Sequence, residues 1–294
     1  MIALILAGGF AKRMGDVAKN CPKPLLEVAG RSVIDYILDK VEECPDVDRI
    51  IISTNAKFRE NFNKWLSNAR HRTDTRIVHE ETASEEQKLG AVGALAWLVE
   101  NEKISEDVMV INGDNLFRFN LQKFIELFRT SGGPVLGVYD IKSIDEAKRM
   151  GVVMLDSNGN ICDFQEKPAE PKSTLISTGI YIFPAGLLGL FRQYLNEGND
   201  RDRIGSFIAW LYKKHKVRAH VFMEQWYDIG TIETYEMVRK CFVLPHPAQA
   251  ATLPEARLQE AMAQPTPEAA GARPAQEQAP AAEPAQPQVA QKQA

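Results

Sequence analysis

Apolar positions in the first part of the chain alternate between two patterns. A continuous apolar run at residues 2–6 predicts a strand that is buried on both faces, and short, partly apolar segments predict further strands at residues 49–53, 76–79 and 108–111. Apolar residues at helical spacing follow the first three runs, at residues 33–41, 58–66 and 92–99, with Ser32 as the N-cap of the first helix. This alternation predicts right-handed βαβ units and a parallel sheet that is covered by helices.

The second half of the chain mixes strands and helices less regularly. Strands are predicted at residues 134–139, 152–155, 176–183 and 217–223, and helices at residues 187–195, 206–215 and 232–240. Together the two halves predict the α/β class, as a Rossmann-like three-layer α/β/α domain with a mostly parallel, mixed central sheet. Ligands of such sheets bind beyond the carboxyl ends of the strands, so the loops after Leu6, His79 and Ile111 are expected to share one crevice.

The composition changes sharply near Pro245. From residue 245 to residue 294 the sequence is dominated by Ala, Pro, Gln and Glu and has almost no large apolar residues. Such a segment buries too little surface to offset the entropy of ordering the chain. We therefore expect a folded domain at residues 1–244 and a disordered Ala/Pro/Gln-rich tail at residues 245–294.

Charge, cysteine spacing and hydropathy restrict the partners and the cellular compartment that the sequence fits. The formal net charge is −4, so no global positive field attracts nucleic acid or an anionic membrane. The four cysteines are scattered without zinc-like spacing, and we expect reduced thiols. The apolar start is too short for a signal-peptide core, and no stretch approaches the length of a membrane span. These features together predict a cytoplasmic protein.

Two short segments carry residues that suit phosphate binding. Gly8 and Gly9 follow the first strand, where a glycine turn lets backbone N–H groups face an anion, and Arg13 adds a fixed positive fork. Lys23 lies between two prolines, which hold it stiffly enough to stabilise a phosphoryl group. Each segment alone is weak evidence, because paired glycines usually form a plain turn and a lone lysine is usually a solvated charge. Neither segment has the spacing of a Walker loop or of a GxGxxG nicotinamide fingerprint.

Seven short motifs follow one another along the chain. They are LAGGFAKRM at 6–14, PKPLLEVAG at 22–30, KLGAVGAL at 88–95, NGDN at 112–115, EKP at 166–168, STGIY at 177–181 and WYDIGT at 226–231. In this order they resemble the signature of the sugar-phosphate nucleotidyltransferases, also called NDP-sugar pyrophosphorylases. The resemblance implies that family's α/β nucleotidyltransferase fold and the transfer of a nucleotidyl group to a sugar 1-phosphate, with release of pyrophosphate.

The resemblance also implies roles for single residues. Arg13 and Lys23 are the implied catalytic cations, with Arg13 on the β- and γ-phosphates and Lys23 on the α-phosphate. The implied nucleotide-binding residues are Leu6, Ala7, Gly8, Gly9, Gly90 and Asp114. Asp114 and Asp228 are implied to hold Mg²⁺ as the cofactor. The implied sugar-phosphate-binding residues are Gly151, Glu166, Lys167, Thr178 and Gly179, where Glu166 would meet sugar hydroxyls and Lys167 the incoming phosphate.

The implied partners are a nucleoside triphosphate and a sugar 1-phosphate, with neither nucleic acid nor membrane, and a homo-oligomer is an open expectation. Similarity favours glucose 1-phosphate with dTTP or UTP. The alternatives are a mannose-1-phosphate guanylyltransferase and a catalytically silent paralogue that senses sugar nucleotides, although retention of the charged residues argues against the latter. A nicotinamide-dependent oxidoreductase is disfavoured because no ribose-binding acid follows the second strand.

Two departures from the family pattern bear on these expectations. Ala11 stands where the family commonly has a second glycine, and a left-handed backbone there would be strained. The glutamate-rich segment at residues 79–88 is longer than in the simplest members. Because base recognition often involves that segment, the departure leaves the nucleotide open.

Overall fold

A computed structural model of the chain describes residues 1–11, 14–15, 17, 20–69 and 73–242. The strands are β1 (Ile2–Ala7), β2 (Glu27–Val28), β3 (Arg31–Ser32), β4 (Arg49–Asn55), β5 (Asp74–Glu80), β6 (Val108–Asn112), β7 (Asn115–Phe117), β8 (Val135–Asp140), β9 (Gly151–Leu155), β10 (Ile161–Glu166), β11 (Leu175–Phe183), β12 (Arg218–Phe222) and β13 (Trp226–Asp228). The α-helices are α1 (Val33–Glu42), α2 (Arg59–Asn68), α3 (Ala91–Asn101), α4 (Leu121–Ser131), α5 (Ile144–Ala147), α6 (Gly189–Asn196), α7 (Ile204–Leu211) and α8 (Ile232–Cys241).

Nine of these strands form one mixed sheet. Its order is β10-β9-β11-β6-β1-β4-β5, with β8 paired to β11 and β12 paired to β8. The strands β6, β1, β4 and β5 are parallel neighbours, whereas β11 runs antiparallel to β6, β8 and β9, and β10 runs antiparallel to β9. All strands except β10 and β11 therefore share one direction, and the predicted mostly parallel, mixed sheet is confirmed.

The centre of the sheet explains the unbroken apolar runs of the sequence. β1 lies between β4 and β6, with Ile5 in register with Ile52 and with Ile111. Successive side chains of a strand point to opposite faces, yet Leu4 and Ile5 are both 0% exposed. Only a strand covered by helices on both faces needs apolar residues at every position.

Helices cover both faces of the sheet and complete three layers. On one face, Ala3 and Ile5 share a core with residues of α1, α4 and α8. On the other face, Ile2 and Leu4 share a core with residues of α3, α6 and α7. The predicted N-cap of α1 is confirmed, because Ser32 and Asp35 form a reciprocal capping box there.

Residues up to Phe242 fall in one compact unit, Met1–Val243. The tail predicted at residues 245–294 lies outside the described residues. Within the described part of the chain, no helix combines the length and the apolar character that crossing a membrane requires.

Candidate active site

A cavity of about 510 Å³ lies at the carboxyl ends of β1, β5 and β6. Its walls come from the three loops that the sequence predicts to meet, and from the segment around Lys23. The lining residues are Leu6, Ala7, Gly8, Gly9, Phe10, Ala11, Lys23, Pro24, Glu80, Glu85, Lys88, Gly90, Ala91, Ala94, Asn112, Asp114 and Asp202. All six predicted nucleotide-binding residues therefore line one cavity.

Lys23 and Asp114 form an ion pair in the wall of this cavity. The Lys23 Nζ atom lies 3.1 Å from Asp114 Oδ2, and the two side chains are only 13% and 28% exposed. Lys23 begins a 3-10 turn directly after Pro22, which fixes the backbone on its amino side. Asp114 follows the buried strand β6 through Gly113, whose N–H donates to the Leu6 carbonyl at 2.9 Å. Both charges are thus held by short, stiff segments.

Asp228 reaches the same region from the far end of the folded chain. β13 pairs with β7 in antiparallel fashion, which places Asp228 opposite Asn115. In addition, the Ile229 N–H donates to the Asp114 carbonyl at 2.9 Å. The structure therefore puts the two predicted metal-binding aspartates on adjacent backbone segments. In the described chain, no group of three or more His, Cys, Asp or Glu residues is placed to hold a metal ion, here or elsewhere.

The glycine turn after β1 packs against a buried carboxylate that the sequence reasoning did not single out. A Cβ atom on Gly8 would lie 2.7 Å from Oε1 of Glu80, so a side chain there would have to displace this carboxylate. The Gly8 carbonyl accepts a hydrogen bond from Asn55 Nδ2 at 3.0 Å. Glu80 ends β5 and is 3% exposed, and burial raises the pKa of its carboxyl.

Gly90 joins the same wall by a close backbone contact. Its φ is +75°, and the N–H groups of Ala91 and Val92 donate to the carbonyls of Asp202 and Arg201 at 3.2 and 3.0 Å. The first turn of α3 is therefore capped by backbone carbonyls. At the rim, Lys88 bridges Glu85 and Asp202, and its hydrogen bonds to these carboxylates raise the pKa of its ammonium group.

Glu166 lies at the end of β10 beside two glycines. Side chains at Gly151 or Gly205 would collide with its carboxylate or with the neighbouring Phe164 ring. Burial raises the pKa of Glu166, while the positive charges of Lys167 and Arg203 oppose that shift. Lys167 itself has a left-handed backbone, with φ +49°, and its N–H donates to the Met150 carbonyl at 3.0 Å.

Thr178 and Gly179 lie where β11 passes the end of β6. Asn115 Nδ2 donates to the Thr178 carbonyl, and Gly179, with φ +77°, contacts the side chain of Asn112. The Thr178 hydroxyl donates to the Gly137 carbonyl at 2.9 Å, and the residue is 1% exposed. Its side chain is therefore used inside the sheet, and its main chain is the part that remains near the site.

None of the predicted sugar-phosphate residues lines the 510 Å³ cavity itself. Asn112 links the two groups, because it lines the cavity and also contacts Gly179. Arg13, the predicted partner of the β- and γ-phosphates, lies outside the described residues. Ala11 has φ +55°, so the left-handed backbone that the sequence leaves as a concern is present.

Comparison with known proteins assigns the chain to a family. A family model described as nucleotidyl transferase matches residues 2–241. The chain belongs to this family. The match includes all seven motifs, and the resemblance to sugar-phosphate nucleotidyltransferases is thereby confirmed.

Two curated relatives show how similar the sequence of the chain is to known proteins. The chain is 29% identical over 232 residues to the bifunctional protein GlmU of Methanocaldococcus jannaschii, covering 78% of the chain and 51% of that protein. It is 28% identical over 262 residues to the glucose-1-phosphate adenylyltransferase of Fervidobacterium nodosum, covering 84% and 62%. The chain thus spans about half to three fifths of the length of these relatives.

A solved structure from Bacillus anthracis has the same fold as this chain. Its protein is provisionally assigned as a glucose-1-phosphate thymidylyltransferase. The TM-score is 0.70 at 24% identity, and the match covers 87% of this chain and 98% of that chain. This likeness supports the α/β/α architecture with its mixed sheet.

Proposed function

We propose that the protein joins a nucleoside triphosphate to a sugar 1-phosphate, giving an NDP-sugar and pyrophosphate. The observation that carries this proposal is the Lys23–Asp114 pair at the carboxyl edge of the sheet, with Asp228 on the adjoining strand. A cation and a carboxylate in the wall of a cavity of this size, with a second carboxylate on the adjacent backbone segment, suit a bound triphosphate with its metal ion.

The reaction needs charge stabilisation rather than a protein nucleophile. An oxygen of the sugar 1-phosphate attacks the α-phosphorus, the new P–O bond forms, and the bond to the β-phosphate oxygen breaks to release pyrophosphate. Several negative charges converge in this step, so positioned cations and backbone donors provide most of the catalysis. Lys23 is the described cation at the right place, because it is held rigidly at the cavity wall.

The residues present fit a magnesium ion. Asp114 and Asp228 offer only carboxylate oxygens, which Mg²⁺ prefers, and two protein ligands leave room for phosphate oxygens and water. When bound, Mg²⁺ would neutralise charge on the phosphates. The ion pair with Lys23 offsets the negative charge of the Asp114 carboxylate and holds it at the cavity wall.

The remaining predicted residues take the roles that the family resemblance implies. Arg13 would hold the β- and γ-phosphates, Lys167 the sugar phosphate, and Glu166 the sugar hydroxyls. The packing of Gly151 and Gly205 around Glu166 supports a fixed acceptor, because a carboxylate that cannot move gives direction to its hydrogen bonds. The sugar would approach along Gly179, next to Asn112 at the edge of the nucleotide cavity.

Glucose 1-phosphate with dTTP or UTP is the substrate pair that the sequence predicts, with mannose-1-phosphate guanylyltransferase as the alternative. The relatives named above include an adenylyltransferase and a structure assigned to a thymidylyltransferase, both for glucose 1-phosphate. Their names agree in the sugar and differ in the base. We therefore propose glucose 1-phosphate as the acceptor.

The test is pyrophosphate release from the full-length protein with Mg²⁺, each nucleoside triphosphate and several sugar 1-phosphates. We expect activity with one pair and a fall of about 10²-fold or more in D114N and in D228N. D145N is the matched control, because Asp145 lies on the short helix α5, exposed and paired with Lys148. Circular dichroism would establish that the variants fold.

Near-normal turnover in D114N or D228N would remove that residue from the metal site. Absence of pyrophosphate release with every pair would favour the silent, sugar-nucleotide-sensing paralogue. Equal losses in D145N and in the two site variants would show that the assay responds to charge or stability alone.

A further inference from the structure

Glu80 is a buried carboxylate in the cavity that the chemistry above does not use. It lines the cavity wall, and its residue is 3% exposed. Ser53 Oγ donates to Glu80 Oε1 at 2.8 Å. Among the described residues, no lysine, arginine or histidine lies within ion-pair distance of it. An ionised carboxylate can accept about four hydrogen bonds, so most of its capacity is unused.

Such a group costs stability, which argues against a purely structural role. Removing a carboxylate from water is expensive unless charges or several donors replace the water. Burial raises the pKa of Glu80, and the one bond from Ser53 opposes this shift without abolishing it. A buried carboxylate that has few hydrogen-bond donors around it and lines a ligand cavity is expected to contact the ligand.

The position of Glu80 assigns it to the base end of the nucleotide. Asp114 follows β6 and Glu80 ends β5, and the strands β1 and β4 lie between them in the sheet. Three steps between neighbouring strands separate the backbones of these two residues by about 14 Å, and the Glu80 side chain reaches over β4 to Gly8 at the end of β1. The Gly8 turn therefore lies between Glu80 and the Lys23–Asp114 pair, where a bare carboxylate would repel the phosphates.

Several residues that line the cavity together with Glu80 have small side chains or none, which leaves room for a flat ring. Gly8 lies directly beside the Glu80 carboxylate and has no side chain to block it. The Asn55 side-chain amide donates a hydrogen bond to the Gly8 carbonyl, which holds the Gly8 peptide next to the Glu80 carboxylate. Ala91 and Ala94 on α3 line the cavity as well and offer small apolar surfaces. A nucleobase that enters here would present its hydrogen-bonding edge to Glu80.

The bases differ in the edge that they can present to a carboxylate. Guanine carries two neighbouring donors, N1–H and N2–H₂. Adenine and cytosine place a ring-nitrogen acceptor beside their amino group, and uracil and thymine flank their single N–H with two carbonyl acceptors. An ionised carboxylate accepts both guanine donors at once, whereas no other of these bases offers two neighbouring N–H donor groups.

We propose that Glu80 selects a guanine nucleotide by accepting hydrogen bonds from N1–H and N2–H₂ of the base. This inference rests on the proposed function, whose cavity and nucleotide orientation it uses. It replaces the pyrimidine triphosphate that overall sequence similarity favours, because the buried carboxylate of Glu80 offers a pair of acceptor oxygens that matches two donors.

The test is equilibrium binding of GTP, ATP, CTP, UTP and dTTP, each with Mg²⁺ and without sugar phosphate, to the full-length protein. Calorimetry on the wild type should show tighter binding of GTP than of the others, on the order of 10- to 100-fold. In E80Q the amide offers one donor and one acceptor, so the preference for GTP should disappear. E80Q should also fold, because an amide oxygen can still accept from Ser53.

E81Q is the matched control. Glu81 is the next residue, is 81% exposed and pairs with Arg59 outside the cavity. E81Q removes the same charge as E80Q but at a position outside the cavity, so the GTP preference of E81Q should equal that of the wild type. Wild-type preference for another base, an unchanged GTP preference in E80Q, or no binding of any triphosphate would overturn the proposal.

The outcome separates this inference from the proposed function. Pyrophosphate release with a base other than guanine, unaffected in its base preference by E80Q, would refute the role of Glu80 and leave the enzyme class intact. GTP binding that depends on Glu80, without release of pyrophosphate from any sugar 1-phosphate, would refute the enzyme activity and leave the base assignment intact.

Discussion

Replacement of Gly179 by alanine tests whether the strand that passes the site is as tightly fixed as the structure shows. Gly179 has φ +77°, where an L-residue costs about 1–2 kcal/mol. A Cβ there would collide with the Asn112 side chain and lie 3.0 Å from Asn115 Nδ2. Asn115 is 2% exposed and donates to the Thr178 carbonyl, so moving it away would cost about 1–3 kcal/mol more.

The net loss of stability follows from these two costs and one gain. Alanine lowers the conformational entropy of the unfolded chain and thereby stabilises the folded state by about 0.4–1 kcal/mol. We therefore expect G179A to be destabilised by about 1–5 kcal/mol, which corresponds to a fall in Tm of about 2–20 °C for a domain of this size. Because Asn112 lines the cavity, we also expect pyrophosphate release to fall more than the population of unfolded protein explains.

G132A is the control that isolates the collision. Gly132 ends α4 with φ +67°, and a Cβ there has no atom within 4 Å. This variant carries the backbone strain alone, so its loss should be about 1 kcal/mol. Thermal unfolding followed by circular dichroism measures both. If G179A lost no more stability than G132A, the close packing of Asn112 and Asn115 against this strand would be refuted.

Two further predictions concern strain and charge in the cavity wall. Ala11 has φ +55°, so A11G should stabilise the protein by about 0.5–1 kcal/mol, and an unchanged or lower Tm would show that the loop is not strained. Burial raises the pKa of Glu80 above its ordinary value of 4.5. Protonated Glu80 thus contributes stability that is complete below that value and is lost as the pH rises through the raised pKa of the folded state. E80Q stays neutral, so its Tm should match the wild type in acid and exceed it near neutral pH; a constant difference across this range would contradict the burial effect.

The parallel half of the sheet could be predicted from the sequence because its strands are covered on both faces. β1, β4 and β6 each contain at least three consecutive large or small apolar residues, a pattern that few solvated segments share. β10 was missed, since Asp163, Gln165 and Glu166 interrupt its apolar positions. β7 and β13 were missed because three-residue strands are too short for periodicity to show.

The site was predictable only where local sequence fixes it. The prolines around Lys23 and the glycines after β1 are local features, and both are found where the sequence placed them, at the cavity wall. The approach of Asp228 to Asp114 depends on the pairing of β7 with β13, a contact between distant segments that only the family resemblance implied. Glu80 could not be recognised, because it lies in a glutamate-rich segment that reads as solvated, and its burial comes from the Gly8 turn and β4.

The distribution of buried polar residues points to the same site without reference to any motif. Seven polar residues of the described chain are buried, namely Ser53, Thr54, Asn55, Glu80, Thr82, Asn115 and Thr178. They lie at the ends of β4 and β5, in β7, and where β11 passes β6, all along the carboxyl edge of the parallel strands. Burying polar groups costs free energy, and an unselected core would have no reason to gather that cost at one edge. The polar edge surrounds the cavity that holds the Lys23–Asp114 pair, so the fold concentrates its energetic cost where a charged ligand would need to be bound.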